Sequence, residues 1–249
     1  MNFEYNEDNL VEQAASDILY NLGWKVETAW HNETFGLNGL LGRQNKSEII
    51  LSKFLLPILE KLNPNLPEAA YKNAYLQITQ RETNKKLDRI NKEKYSLIKS
   101  GIKVSFTDDK GEQKIKTLKV FDFDNPENNN FLAVRQLEVQ GELYLRRPDI
   151  VGFVNGIPLV FLELKAHHRG LRHAYDDNLK DYKDTIPHLF DTNGFIILSN
   201  GLNTNIGTIT SPYKFFHEWK RINEDEVGKI TLDTTIRGTC SKDKLIDLF

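Results

Sequence analysis

The chain has 249 residues, 39% hydrophobic and 27% charged, which suits one large α/β domain or one carrying an inserted helical part. With 33 Lys and Arg against 35 Asp and Glu, the net charge is −2. Bulk positive charge is therefore excluded as a way to hold nucleic acid, and such contact needs local basic patches or metal ions.

The single cysteine, Cys240, excludes an internal disulfide framework and fits a reducing cytoplasm; beside the C-terminus it reads as an unreactive small residue. No apolar run approaches the ~20 residues needed to cross a bilayer. Met1-Asn2-Phe3-Glu4 lacks the basic and apolar regions of a signal peptide. Leu245-Ile246-Asp247-Leu248-Phe249 reads as an apolar pattern cut off midway, so the expectation is a fragment of a longer protein.

Asn6-Glu7-Asp8 supply caps and early negative charge for a helix running to about Leu22, with Gly23 as its stop. Leu10, Ala14, Ile18 and Leu22 make its apolar stripe, widened by Val11, Ala15 and Leu19, with Glu12 beside it. Trp24–Trp30 reads as a short strand. From Gly42 to Ser100 the pattern is helical. Ser47, Ile50, Leu51, Phe54, Leu55, Ile58 and Leu59 repeat at helical spacing until Asn63-Pro64-Asn65-Leu66-Pro67 breaks them. A second helix is expected over about Glu68–Gln80 and a third over about Asn84–Lys99. The third is basic, with Lys85, Lys86 and Arg89 as candidate DNA-backbone contacts against the plainer reading of a solvated face.

Ile102–Thr107 and Ile115–Phe123 read as strands around the turn Asp109-Lys110-Gly111, followed by a strand over Phe131–Gln140. After residue 165 a helix is expected over about Leu171–Lys183, with a stripe of Leu171, Ala174, Tyr175, Asn178 and Tyr182, ended by Ile186-Pro187. Phe195–Ser199 reads as a fully buried strand, which with the preceding helix forms a parallel βαβ unit. Ile206–Thr210 reads as a further strand, and Phe215–Arg221 with Trp219 packs after it. His167, His168 and His173 match no zinc spacing. No GxxxxGK[ST] occurs, so a P-loop for ATP is excluded.

The chemistry concentrates in Arg146–Lys165. Two apolar, β-prone runs flank Asn155-Gly156, a strong short-range hairpin signal. Asp149 opens the first run, and Glu163 and Lys165 close the second. Alternation puts Glu163 and Lys165 on one face with Leu159 and Phe161, so that face begins as core and ends as charge. Buried charges persist when paired or when they hold a metal. A two-residue turn pairs Val154 with Ile157, and continuing that register sets Asp149 opposite Leu162, on the wrong face for sharing a cation with Glu163. The hairpin is therefore expected to gain one residue through an odd loop or a β-bulge.

Pro148-Asp149, a 13-residue gap and Glu163-Leu164-Lys165 resemble the PD-(D/E)xK nuclease motif. The longer string RRPDIVGFVNGIPLVFLELK resembles the N-terminal endonuclease domain of the R (restriction and translocation) subunit of type I restriction-modification enzymes. So do Gly42-Arg43 and the Leu62–Pro67 segment with its following helices, and Arg237–Phe249, which is similar to the lead-in to that subunit's motor domains. The resemblance implies a restriction-endonuclease-like α/β fold, a mixed central sheet flanked by helices, as one domain over 1–249 with a helical insertion at about 42–100. It implies Asp149, Glu163 and Lys165 as catalytic residues. Mg²⁺ would be held by Asp149, Glu163, the Leu164 carbonyl and Glu12 of the first helix. Asn178, standing where many R subunits have Gln, and Tyr182 are candidates to bind the DNA backbone or to orient Lys165, and Arg147 is a further candidate DNA contact. The implied partners are double-stranded DNA and the modification and specificity subunits, with ATP used only by motor domains lying outside this sequence. A standalone Mrr- or resolvase-like nuclease and a catalytically idle DNA-binding or docking module are the rival readings.

Overall fold

The chain's structure, a computed structural model, describes residues 7–108, 110–222 and 231–249. The capping role of Asn6 and the turn residue Asp109 therefore lie outside the described residues. The elements run α1 (Glu7–Asn21), β1 (Lys25–Thr28), α2 (Ser52–Leu62), α3 (Glu68–Thr79), α4 (Leu87–Ser100), β2 (Ile102–Thr107) and β3 (Gln113–Leu118). Then come β4 (Phe131–Arg135), β5 (Val139–Gln140), β6 (Leu145–Arg146), β7 (Ile150–Val154) and β8 (Ile157–Leu164). The helix α5 (Leu171–His173) passes through a π-helical turn, Ala174–Leu179, into α6 (Lys180–Thr185). The remaining elements are β9 (Phe195–Ser199), β10 (Thr204–Gly207), α7 (Leu232–Cys240) and α8 (Lys242–Asp247).

Six strands form one mixed sheet in the order β1-β4-β7-β8-β9-β10. β1 with β4 and β8 with β9 are parallel, and the other neighbours are antiparallel. Every residue of β7, β8 and β9 is buried, because helices cover both sheet faces. One face carries Ile150, Val154, Leu162, Leu164 and Ile197 against Val11, Ala15 and Leu19 of α1 and Leu232, Ile236 and Cys240 of α7. The other carries Val151, Phe153, Phe161, Ile196 and Leu198 against Ala174, Tyr175, Leu179 and Tyr182. This is the mixed, helix-flanked α/β architecture of the restriction-endonuclease-like fold. Residues 237–249 pack into the first of these cores, where Leu245 and Phe249 are buried. No helix among the described residues is long and apolar enough to cross a membrane. Burial pushes the Cys240 thiol up to about 12, in keeping with an unreactive core residue.

Local expectations shift where tertiary contacts compete. The buried stripe of α1 is Val11, Ala15 and Leu19, while Leu10 and Ala14 are exposed. The helix is thus turned one position further than its most apolar face suggests, which brings Glu12 inside at 3% exposure. Ile49, Ile50 and Leu51 are buried but precede α2, because the Leu51 N–H donates to the Gly156 carbonyl (2.8 Å) instead of joining a helix. The strand expected over Phe131–Gln140 breaks at Gln136, whose φ is 51°. β3 ends at Leu118 rather than Phe123, and the strand after β9 is Thr204–Gly207.

The helical segment is stitched to the sheet at the start of β9. Asn91 of α4 donates to the carbonyls of Phe190 (3.1 Å) and Asn193 (2.8 Å), and Arg81 pairs with Asp191 (2.8 Å). Burial, together with the Arg81 charge, lowers the His188 imidazole to about 4, while burial raises Asp191 to about 6 against the pull of Arg81. Stability from keeping His188 neutral is fully present above its ordinary value of 6.5 and is lost as pH falls toward about 4. For Asp191 the sign reverses: the contribution is fully present below 3.8 and is lost as pH rises through about 6. His188→Gln should therefore make the Tm less acid-sensitive than the wild type between pH 6.5 and about 4, with the opposing Asp191 contribution acting on both. A thermal-denaturation series across that window checks it, and a variant as acid-sensitive as the wild type would refute it.

Candidate active site

The hairpin that carries the motif begins at a buried turn. Asn155 (φ 52°) and Gly156 (φ 78°) both occupy the left-handed region, as a two-residue type I′ turn requires. Asn155 is wholly buried; its amide donates to the Val120 carbonyl (2.9 Å) and Asn129 Oδ1 (2.8 Å) and accepts from the Asn130 N–H (2.7 Å). A Cβ on Gly156 would lie 2.5 Å from the Leu51 carbonyl oxygen, so α2 caps the hairpin tip and only glycine fits there.

From this turn the ladder pairs Val154 with Ile157 and Phe153 with Pro158, then slips one residue and pairs Gly152 with Val160, Val151 with Phe161 and Ile150 with Leu162. Leu159 is the extra residue. It joins the core on the α1 side rather than sharing a face with Phe161, a correction to simple alternation. The slip follows Pro158, which cannot donate to the ladder. The carbonyls it turns away are taken by Thr192 Oγ1 on Pro158 (2.7 Å) and by the Gly194 N–H on Leu159 (2.8 Å).

The shifted register places Asp149, one step before Ile150, across from Glu163, on the sheet face shared with Val151 and Phe161. An Asp149 carboxylate oxygen accepts the Leu164 N–H at 2.7 Å, fixing the acid across the hairpin end. Glu163 is buried, with 1% of its side chain exposed, and Lys165 Nζ lies 2.8 Å from its Oε1. Lys165, 12% exposed, stands at the mouth, its own N–H bonded to the Ser199 carbonyl (2.8 Å) at the end of β9. A buried acid with a cation outside it and a half-buried second acid alongside are thus fixed by strand geometry alone.

The helix over this face completes the cluster. Tyr182 packs edge-on against Phe161 (centroids 5.8 Å), with Asn178 one helical turn before it. Burial first and then the Glu163 charge hold its phenol well above the ordinary value, with Asp149 adding in the same sense and Asn178 opposing. One hydroxyl therefore feels both carboxylates. Asn178 sits within the π-helical turn, a local widening frequent at functional sites.

Other expected residues are placed differently. Both oxygens of Glu12 are taken, Oε1 by Arg135 (2.8 Å) and Oε2 by the Gln136 amide (2.6 Å). Gln136 links Glu12 to Asp149, its backbone N–H donating to the Asp149 carbonyl (2.8 Å). No group of three or more His, Cys, Asp or Glu poised for a metal occurs among the described residues. Gln136 gave no sequence signal, because its role depends on a left-handed backbone at the end of β4.

The basic stretch is not brought to the site, and the helix expected from Asn84 begins only at Leu87, after Lys85 and Lys86. Lys85 pairs with Glu82 (2.7 Å) and Glu93 (2.8 Å), and Arg89 meets Glu93 (3.3 Å). α4 is tied to the start of β9, whereas Glu163 pairs with Leu198 near its end. Lys94 of the same helix is buried and caps α3 by donating to the carbonyls of Gln77, Ile78 and Gln80. Replacing Lys85, Lys86 and Arg89 together with Gln should leave the salt slope of DNA binding unchanged. A slope flatter by ~2 or more would restore them as phosphate contacts.

Similarity to known proteins covers most of the chain. Residues 4–215 match the family described as type I restriction enzyme R protein N terminus. The chain is 34% identical over 223 residues to the type I restriction enzyme HindI endonuclease subunit of Haemophilus influenzae, covering 87% of this chain and 20% of the relative. It is 32% identical over 241 residues to a Methanocaldococcus jannaschii protein provisionally named type I restriction enzyme MjaIXP endonuclease subunit, covering 92% and 22%. The chain thus spans about a fifth of the length of these relatives. With residues 4–215 matched, the chain belongs to the family of type I restriction enzyme R protein N-terminal regions.

Proposed function

We propose that this chain is the Mg²⁺-dependent DNA endonuclease domain of a type I restriction enzyme R subunit. It would hydrolyse phosphodiester bonds of unmodified double-stranded DNA in the cytoplasm. Cleavage would follow ATP-driven translocation by the subunit's motor domains, in a complex with modification and specificity subunits. The observation that carries the reading is the one-residue slip at Leu159, which aligns Asp149 with Glu163 beside Lys165.

The donors suit a hard cation. Asp149 and Glu163 offer only oxygen, stand on one face at one end of the sheet, and open toward solvent past Lys165, and Mg²⁺ takes one or two carboxylates while keeping several waters. Asp149, Glu163 and the Leu164 carbonyl would hold it; bound there, it supplies an electrophile at the phosphodiester and a more acidic water. Lys165 would orient the attacking water or meet the negative charge gathering on the pentavalent phosphorus. Tyr182, kept a neutral phenol by burial and the carboxylates, remains a hydrogen-bond donor, and with Asn178 it would hold the DNA backbone.

Mg²⁺ or Mn²⁺ should raise the Tm of the wild-type chain by binding the native state only. Asp149→Ala and Glu163→Ala should each abolish that rise, together with divalent-dependent nicking of supercoiled plasmid. A rise preserved in both variants would remove these carboxylates from the metal site.

A further inference from the structure

We propose that Trp30 and Arg147 form a strand clamp beside the candidate active site: Arg147 takes a backbone phosphate flanking the cut, and Trp30 is the positioning residue that holds its guanidinium. The inference rests on the nuclease reading above and gives the candidate contact Arg147 a partner and a place beside the cut.

Topology puts the pair at the right end of the sheet. β1 runs parallel to β4, pairing Thr28 with Arg135, and the Ala29 N–H still donates to the Arg135 carbonyl (2.9 Å). Arg135 is also the partner of Ile150, the residue after Asp149. Trp30 therefore leaves the sheet where Asp149 enters it. Arg147 precedes Asp149 by two residues, with only the buried, φ-restricted Pro148 between them.

The turn presents its indole outward. Trp30 is 41% exposed, whereas Trp24 is 2% exposed. The N–H groups of Asn32 and Glu33 both return to the Ala29 carbonyl, and the Asn32 amide donates to the Thr28 carbonyl. His31 adopts φ 63°, and its ring lies 4.1 Å from the indole. A non-glycine residue in the left-handed region carries strain that a plain surface loop does not need.

Arg147 is held by the ring and not by an acid. Its guanidinium carbon lies 3.9 Å from the Trp30 centroid, and no carboxylate partner occurs for it among the described residues. Its neighbour Arg146 is bound to Asp181, and Arg43, Arg81, Arg135, Arg172 and Arg237 likewise each meet a carboxylate. A guanidinium stacked on an aromatic face keeps its in-plane N–H fork for a planar or tetrahedral anion. Beside two carboxylates that repel DNA, and on a chain of net charge −2, the anion that fits is a DNA phosphate.

The test measures binding of a short fluorescent duplex from ~50 to ~200 mM salt in the cleavage-impaired Lys165→Ala chain, with Tm confirming that each variant folds. Arg147→Ala should weaken binding about tenfold and flatten the salt slope by about 0.9, the value of one phosphate. Trp30→Ala should weaken binding several-fold with the slope kept, Trp30→Phe should recover most of it, and the double variant should bind no worse than Arg147→Ala. An unchanged slope in Arg147→Ala, or additive losses in the double variant, overturns the clamp. Nicking is scored separately with Lys165 intact. If the wild type nicks while both single variants bind normally, the clamp alone fails. If the wild type does not nick but the slope still falls, the nuclease reading fails and the DNA contact stands.

Discussion

Lys165→Ala should lower divalent-dependent nicking by roughly 10²–10³-fold, the loss expected on removing one preorganised group that meets charge in a transition state. It should also destabilise the chain, because Lys165 Nζ lies 2.8 Å from the Oε1 of a carboxylate whose side chain is 1% exposed. Removing one member of a buried pair costs about 3–5 kcal/mol when nothing replaces it. The two effects separate with a second substitution. Lys165→Ala combined with Glu163→Gln should recover much of the stability, since a neutral amide tolerates burial, yet regain no activity. Lys165→Arg should keep the Tm near wild type while still impairing nicking, because a planar fork does not reproduce a compact ammonium. Plasmid nicking and thermal denaturation on the same preparations check this. Full activity in Lys165→Ala would remove the lysine from catalysis, whatever the Tm does.

The candidate site was more legible in the sequence than the elements around it. Strand periodicity is strictly two, so Asp149 and Glu163 could share a cation only across an odd number of inserted residues, and the structure has that slip. Its location at Leu159 could not be read, because it depends on Thr192 and Gly194 collecting the carbonyls of Pro158 and Leu159 from more than thirty positions away. The same limit explains the start of α2. Ile49, Ile50 and Leu51 fit a helical period, but a hydrogen bond to Gly156 claims Leu51 for the sheet. The π turn that carries Asn178 has no sequence signature, because it reflects how the helix seats Tyr175 and Tyr182 over two strands. Around α4 the signal was present: Glu93 follows Arg89 by four residues, a spacing that pairs on a helix, and Glu82 precedes Lys85 by three in the turn before it. Taken with these neighbouring acids, Lys85 and Arg89 suit the solvated-face reading.

Phe161→Ala tests whether this packing holds the site together. Phe161 is 1% exposed, 5.0 Å between centroids from Phe190 and 5.8 Å from Tyr182. Truncating a buried phenylalanine costs about 3–5 kcal/mol, and in a chain of this size that corresponds to a Tm lower by about 6–10 °C. The loss should not be confined to stability. Phe161 lies on the face of Glu163, two residues earlier on the strand, and supports the ring whose hydroxyl feels both carboxylates. Ile98→Ala is the matched control: Ile98 is also 1% exposed but belongs to α4, against the other core. Assayed well below both transitions, Ile98→Ala should nick DNA at the wild-type rate, while Phe161→Ala should be slower by about tenfold or more, as displaced positioning groups are. Phe161→Leu, which keeps most of the volume, should fall between them in both measurements and guards against a variant too unstable to assay. Equal nicking rates for the folded Phe161 and Ile98 variants would mean that Tyr182 holds its place without the ring beneath it, and that the hairpin alone sets the geometry of the site.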